Sequence, residues 1–370
     1  MEKKAFKDGI SLSRLGMGNM RLPIGTGGDK DIDYAKAQEI IDYGMSHGIN
    51  YYDTAYVYHE GESERFVGKA LSKYDRDSYY IATKFSSGAS RDYKKMFEEQ
   101  LEKLGTDHVD FYLLHAVMNS NVDFYLTSGC IEYFLEQKEK GRIKYFGFSS
   151  HADPDQLERI ANHHQWDFAQ IQVNYFDWKY STTQEEYKIL KDRNIPIVVM
   201  EPVRGGKLAT LSPEAAAILK EAHPDWSIAS WALRFVRSLD QVQVILSGMS
   251  NMEQIEDNVA TFDDETPLSE ADQEVLFKAL DVFHNQLVVP CTACRYCTPD
   301  CPMNINIPEW LNVYNKYKTD GPWEIKGMLE HIESEGKPAD CIGCGSCVGH
   351  CPQNIQTPEI MQELAKVLEQ

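Results

Sequence analysis

The sequence predicts a (β/α)8 TIM barrel of parallel strands, followed by a small, mainly helical domain rich in cysteine. Two observations carry the prediction. Short apolar runs alternate with helical segments over about the first 280 residues, and one cysteine run of fixed spacing occurs twice near the end. The division is expected between 285 and 286, with residues 1–285 in the barrel and 286–370 in the cysteine domain.

The elements follow in order. Ala5-Phe6 and Ile10-Ser11-Leu12 flank Lys7-Asp8-Gly9, and Asp-Gly is a strong hairpin turn pair. Gly16 and Gly18 in the run Leu15-Gly16-Met17-Gly18-Asn19-Met20 predict a strand whose end something can approach closely. Seven more runs rich in aromatic and β-branched residues read as strands: 49–54, 79–83, 109–114, 144–148, 169–173, 197–200 and 242–246. Between them, Tyr93, Met96, Phe97, Leu101 and Leu104 share one helical face. Asp153-Pro154 and Ser212-Pro213 pair a capping residue with proline at the first helical position. Gly48, Gly105 and Gly141 stand where helices end. Strands alternating with helices mean parallel strands, and eight such units suit a closed barrel. A doubly wound open sheet shares the alternation and is the alternative. Ser269-Glu270-Ala271-Asp272 caps one more helix, to about His284.

Cys291, Cys294, Cys297 and Cys301 precede Pro302, and Cys341, Cys344, Cys347 and Cys351 precede Pro352. Both runs read C-x-x-C-x-x-C-x-x-x-C-P, the bacterial ferredoxin spacing for [4Fe–4S] ligation. Three thiolates two residues apart wrap three irons of a cubane, and the fourth stands beyond their reach and serves the other cluster. Two [4Fe–4S] clusters with crossed ligation are therefore expected: Cys291, Cys294, Cys297 and Cys351 on one, Cys341, Cys344, Cys347 and Cys301 on the other. Zinc leaves the longer last spacing and the prolines unexplained. Disulfides require an oxidising compartment that nothing else in the sequence suggests. Residues 308–336 carry Trp310, Leu311, Tyr314, Trp323, Ile325, Met328 and Leu329, more apolar material than a link needs, so this insert is expected to pack. Cys130, alone in a predicted helix, reads as a small buried side chain.

The formal net charge is −20, which argues against nucleic acid or anionic lipid as partners. No apolar segment follows Met1-Glu2-Lys3-Lys4 as in a secretory signal, and no run approaches the ~18 residues of a membrane span. The expected location is the cytoplasm.

In a barrel of this type, strand C-termini face the active site. Asp53 ends the second barrel strand, Tyr58 lies in the loop after it, Lys84 follows the third and His115 the fourth. A Lys beside a Tyr hydroxyl favours the phenolate. An Asp keeps that Lys charged and in place, and a His donates a hydrogen bond that positions a carbonyl. The Tyr then gives or takes a proton while hydride moves at carbon.

Asp53-Thr54-Ala55-Tyr56-Val57-Tyr58 with Gly61-Glu62-Ser63-Glu64 resembles the D-T-A-x-x-Y-G-x-S-E signature of the aldo-keto reductases. Ile81-Ala82-Thr83-Lys84, Leu113-Leu114-His115, Gly141-Arg142-Ile143-Lys144 through Ser150, and Gln172-Val173-Asn174-Tyr175 resemble further segments of that family, as does 244–258. The resemblance spans residues 5 to about 265. A fusion of this barrel to a two-cluster ferredoxin-type domain is similar to a subfamily of it. It implies carbonyl–alcohol interconversion on a small-molecule substrate with NADP(H) or NAD(H), Tyr58 as general acid, and Asp53, Lys84 and His115 in support. It also implies cofactor contacts from Asn19, Met20, Ser149, Ser150, Gln172, Met200, Glu201, Pro202, Val203, Arg204, Ser247, Gly248, Met249, Gln254, Asp257 and Asn258. Three departures stand out. Ser150 replaces an Asn, Met200 replaces an aromatic that stacks on nicotinamide, and Ser247 to Gln254 carries no basic residue for a 2′-phosphate. Arg204 is the nearest cation by sequence.

A hydride carries two electrons and a cluster passes one. A flavin converts between them, so a flavin at the barrel mouth and an external ferredoxin-like carrier enter as expectations. The competing function is an electron-transfer or redox-sensing protein whose barrel turns over no carbonyl. A purely structural cluster domain, acting as a lid, is the other alternative.

Overall fold

The computed structural model describes residues 1–264, 266–284, 289–320, 325–329 and 331–368. Trp323 and the expected boundary at 285/286 fall outside them. The chain divides into two compact units, residues 1–203 with 226–273, and residues 204–225 with 274–370.

The first unit opens with an antiparallel hairpin, β1 (Lys3–Ala5) and β2 (Ser11–Ser13), with Ala5 opposite Ser11. Its turn holds Asp8 and Gly9 at φ 56° and 76°, the left-handed pair that Asp-Gly tolerates. Eight strands then close a barrel: β3 (Leu15–Gly18), β4 (Tyr51–Asp53), β5 (Tyr80–Phe85), β6 (Val109–Val117), β7 (Ile143–Ser150), β8 (Phe168–Gln172), β9 (Ile197–Met200) and β10 (Val242–Ser247). Every neighbouring pair is parallel, and β10 returns to β3 with Leu246 opposite Gly16. Closure excludes the open doubly wound sheet.

The barrel is filled by side chains, with Tyr51, Phe111, Leu113, Tyr145, Phe168, Val198 and Val244 in one cluster. Phe6, Ile10 and Leu12 of the hairpin join it where the strands begin, and the Phe6 ring lies 5.6 Å from Phe111 and 5.1 Å from Tyr145. Each such aromatic buries enough apolar surface to contribute roughly 1.5–3 kcal/mol. The hairpin plugs the strand-start end and leaves the opposite end for chemistry.

Helices cover the outside. Gly48, Gly105 and Gly141 all take positive φ after helical segments, the conformation a C-terminal helix cap favours. Gly68, in the helix Ser63–Leu71, lies so close to the helix Tyr93–Leu104 that an added Cβ would sit 2.4 Å from the Leu104 carbonyl oxygen. The helix Glu270–His284, most of which belongs to the second unit, starts on a reciprocal cap. The Asp272 amide donates to Ser269 Oγ at 3.1 Å, and the Ser269 amide donates to Asp272 Oδ2 at 3.0 Å.

The second unit has its own core. Trp310, Leu311, Val313 and Tyr314 of the helix Ile307–Asp320 pack with Ile325, and with Met361 and Leu364 of the helix Thr357–Leu368. Met328 and Leu329 pack against the same core, so the insert between the cysteine runs is structural. This unit also takes in residues 204–225, with the helix Pro213–Ala222, a segment that sequence order assigns to the barrel. Among the described residues no helix is long and apolar enough to cross a membrane.

Candidate functional site

Asp53 ends β4, Lys84 lies near the end of β5, and His115 lies near the end of β6. Tyr58 opens the short helical turn Tyr58–Gly61 that follows β4. All four are brought together and buried, with relative exposures of 2, 0, 4 and 8% for Asp53, Lys84, His115 and Tyr58. Lys84 Nζ donates to Asp53 Oδ1 at 2.5 Å, to the Thr54 carbonyl at 2.7 Å and to the Tyr58 hydroxyl at 3.4 Å. Those three bonds use all three protons of an ammonium. The Tyr58 ring meets the His115 ring edge-on, with centroids 5.7 Å apart at 81°.

Burial works against charge on both members of the Lys84–Asp53 pair. It lowers Lys84 from its ordinary value and raises Asp53, while the ion pair opposes both shifts. His115 is held well below the usual histidine range, first by burial and then by the Lys84 charge. A neutral imidazole carries one N–H donor and one acceptor nitrogen. The Tyr125 hydroxyl donates to the His115 carbonyl at 2.6 Å and fixes the end of its strand.

Sequence patterns did not reveal the layer behind Lys84. Glu64 is fully buried; it accepts from Thr83 Oγ1 at 2.6 Å and Gln100 Nε2 at 2.7 Å, and lies 3.4 Å from Lys103 Nζ. Gln100 also donates to the Lys84 carbonyl at 3.0 Å and accepts from the Tyr112 hydroxyl at 2.6 Å. The Lys84 backbone is thereby clamped from outside the barrel. Glu64 was visible only as the last letter of a motif, and Gln100 as one polar residue in an amphipathic helix. His151, next after β7, is a second histidine here, pushed by burial to about 4.

The residues put forward as cofactor contacts lie mostly at the ends of β3, β7, β8, β9 and β10. Asn19 donates to the Asp53 carbonyl at 2.9 Å, and Met20 follows it, half-buried. Ser149 Oγ accepts from the Ala116 amide at 2.8 Å, and Ser150 Oγ accepts from the Ala152 amide at 3.1 Å. Gln172 donates to Asp177 Oδ2 at 2.6 Å. Met200 ends β9, and Glu201 follows with φ 56°, ahead of Pro202 and Val203. Beyond β10, Ser247 accepts from Asn258 at 2.9 Å, the Ser250 amide donates to Gln254 at 2.7 Å, and Asp257 accepts from Ser227 at 2.7 Å. Gly248 and the buried Met249 lie between them. Gly248 to Asn251 form the loop between β10, which Ser247 ends, and the helix Met252–Asp263, which Asn251 caps and which carries Gln254, Asp257 and Asn258.

One cation missed by sequence lies over that loop. The Arg21 side chain passes 3.3 Å from where a Cβ of Gly248 would stand, its carbonyl accepts from Ser250 Oγ at 2.6 Å, and its guanidinium is 3.5 Å from Glu201. Arg204 takes a different place. It belongs to the second unit, where its guanidinium donates to the Pro290 carbonyl at 3.0 Å and to Gln353 Oε1 at 2.6 Å.

Eight cysteines of the second unit line two cavities. One is bordered by Cys291, Cys294, Cys297 and Cys351, the other by Cys301, Cys341 and Cys344, and Cys347 borders both. The fourth cysteine of each run therefore stands with the first three of the other. Burial pushes Cys297 up to about 12, and the negative neighbours that add to this are Cys294, Cys291 and Cys351. Cys291 is also raised by burial, with Lys207 and Arg204 pulling the other way. Cys347 is raised by burial and by Cys341 and Cys344. Such thiols ionise when a metal takes them as ligands. Among the described residues no three His, Cys, Asp or Glu side chains converge on a single-ion site. Four thiols around a cavity suit the donor set of a multi-iron cluster. Cys130 is separate, fully buried at the start of the helix Cys130–Glu139, with its thiol pushed up to about 11.

Residues 14–279 match the aldo/keto reductase family, and residues 290–355 match a 4Fe-4S dicluster domain. The uncharacterized oxidoreductase YqkF of Bacillus subtilis is 26% identical over 70% of this chain and 90% of its own length. The NADH-specific methylglyoxal reductase of Escherichia coli is 25% identical over 72% of this chain and 94% of its own. Among solved structures, the holo form of aldo-keto reductase AKR11C1 from Bacillus halodurans aligns with a TM-score of 0.61 and 28% identity, over 75% of this chain and 96% of that one. The chain is thus an oxidoreductase that belongs to the aldo/keto reductase family and carries a C-terminal 4Fe-4S dicluster domain.

Proposed function

We propose that the barrel interconverts a small carbonyl compound and its alcohol, with Tyr58 as the general acid. The observation that carries this reading is the buried Lys84 ammonium, bonded at once to Asp53, the Thr54 carbonyl and the Tyr58 hydroxyl. A reduced nicotinamide, when bound, supplies the hydride. Tyr58 delivers its proton to the oxygen of the substrate, and the Lys84 charge beside it stabilises the phenolate left behind. Asp53 keeps Lys84 charged against the burial that favours its neutral form. Neutral His115 donates to the carbonyl oxygen and sets its angle. In the reverse direction the same groups remove the alcohol proton.

Ser149, Ser150 and Gln172 would hold the carboxamide side of NAD(H) or NADP(H), and the segment Ser247 to Asn258, a loop and the start of a helix, its phosphates. The amides at the start of the helix Met252–Asp263 suit an anion. Arg21 supplies the positive charge that the loop itself lacks. The relative specific for NADH supports a search with both nicotinamides.

In the second unit, the two groups of four thiols would hold two [4Fe–4S] clusters with crossed ligation, passing single electrons to an external ferredoxin-like carrier. Replacing Tyr58 by Phe is the decisive test of the barrel. Carbonyl reduction is expected to fall by about 10²–10⁴-fold, the range of general acid catalysis, with iron content unchanged. Turnover equal to that of the unaltered protein removes Tyr58 as the general acid, whereas an unaltered protein that reduces no carbonyl with either nicotinamide favours the electron-transfer or sensing role.

A further inference from the structure

The segment Arg204 to Lys207 precedes the first cluster cysteine by more than eighty residues, yet it folds within the same unit as the cysteines. It does so in an unusual backbone. Arg204, Gly205 and Gly206 take φ of 50°, 63° and 90° in succession. A non-glycine residue held there is under strain of about 1–3 kcal/mol, which the surroundings must offset. At Gly205 the approach is tight, because an added Cβ would lie 2.0 Å from the Thr292 carbonyl oxygen.

The offset comes from where the guanidinium is taken. Arg204 is 2% exposed and bonds the Pro290 carbonyl and the Gln353 side chain. Pro290 immediately precedes Cys291, and Gln353 stands two residues after Cys351. Those cysteines are the first and last thiols of one group, and Gln353 lines their cavity. Lys207 reaches the same neighbourhood, with its Nζ 3.2 Å from Asn312 Oδ1. Arg295 also lines this cavity but is exposed, so solvent and salt screen it. The other cavity is bordered by Pro302, Met303, Ile305, Ile342 and Met361 besides its cysteines, and among the described residues no charged side chain lines it.

We propose that Arg204, assisted by Lys207, is a redox-tuning residue that raises the reduction potential of the cluster held by Cys291, Cys294, Cys297 and Cys351. The proposal rests on the two-cluster reading above. Reduction adds one electron and makes the cluster more negative, and a fixed buried cation favours that state. A guanidinium does not titrate in proteins, so the effect is constant with pH. The cluster so tuned is the electron sink of the pair.

The test uses the full chain, loaded with iron and sulfide under anaerobic conditions, and reads each cluster by electron paramagnetic resonance during a redox titration. Arg204→Gln is expected to lower one midpoint and leave the other in place. At the original midpoint the ratio of reduced to oxidised cluster falls about tenfold, equivalent to about 59 mV for one electron. Arg204→Lys restores most of the shift, and Lys207→Gln moves the same midpoint in the same direction by less. Two unmoved midpoints overturn the proposal, as do two that move together without rescue by Lys, the behaviour of a mere staple. If Arg204→Gln does not load, the Lys207→Gln titration decides, and no shift there overturns it. Iron well short of about eight per unaltered chain brings down the two-cluster reading, and the proposal with it. Full iron with unmoved midpoints brings down the tuning role alone.

Discussion

Lys84 gathers the candidate site of the barrel around one side chain. Its charge persists at zero exposure because Asp53, the Thr54 carbonyl and Tyr58 take its three protons. The histidines nearby behave in the opposite way, since burial keeps them neutral. For His151 the folded value is about 4, whereas an unfolded histidine titrates near about 6.5. Between those values the unfolded chain binds a proton that the folded chain refuses. Stability is therefore untouched by this group above pH ~6.5 and declines as pH falls toward 4, by at most about 1.4 kcal/mol per pH unit. His115 acts in the same sense. Denaturant melts from pH 7 to 4.5 are expected to show a shallower decline in His151→Gln than in the unaltered chain. Equal slopes refute this assignment. At this scale the sequence was most informative about the candidate residues at strand ends. Asp53, Lys84 and His115 could be picked out because each closes an apolar run, with Tyr58 in the loop just after. Glu64, Gln100 and Arg21 could not, because each acts through a neighbour brought near only by folding.

The elements tell the same story through their boundaries. β9 covers the expected 197–200, since a short β-branched run ends where its apolar character ends. β6 runs on to Val117, past the expected Leu114, because pairing shifts register there and Ala116 takes φ 50° before Val117 rejoins Ser150 of β7. Such an extension is decided by the neighbouring strand and leaves no local mark. Residues 204–225 are the larger instance. Their cap at Ser212-Pro213 was legible, but their partners lie far along the chain. Helix contacts make a sharper test. Gly68 allows the helix Ser63–Leu71 to touch the backbone of its neighbour at Leu104. Gly68→Ala improves helix propensity by up to about 1 kcal/mol, yet it is expected to destabilise the barrel by about 1–3 kcal/mol through overpacking. Thermal melts are the measure, and a rise in midpoint contradicts the argument.

For the molecule as a whole, the grouping of the thiols was legible in the duplicated run, because a thiol four residues beyond its neighbour stands apart from the three spaced more closely. The cavities show the same exchange, with Cys351 among the first run and Cys301 among the second. Cys351→Ser and Cys301→Ser are thus expected to damage different clusters. The Arg204-sensitive signal is lost in the first variant and kept in the second, as read by resonance spectra and iron content. Loss of the same signal in both rejects the crossing.

The exchange of fourth cysteines also has a consequence in time. During synthesis, the group that begins at Cys291 lacks its last thiol until Cys351 has been made, sixty residues later. At 5–20 residues per second this is an interval of roughly 3–12 s. By then the strands from Leu15 to Ser247 have all been made, and the barrel is free to close first. Neither group is complete before the second run is made, and a ribosome that stalls between 301 and 341 holds a chain whose thiols have no complete nest to occupy.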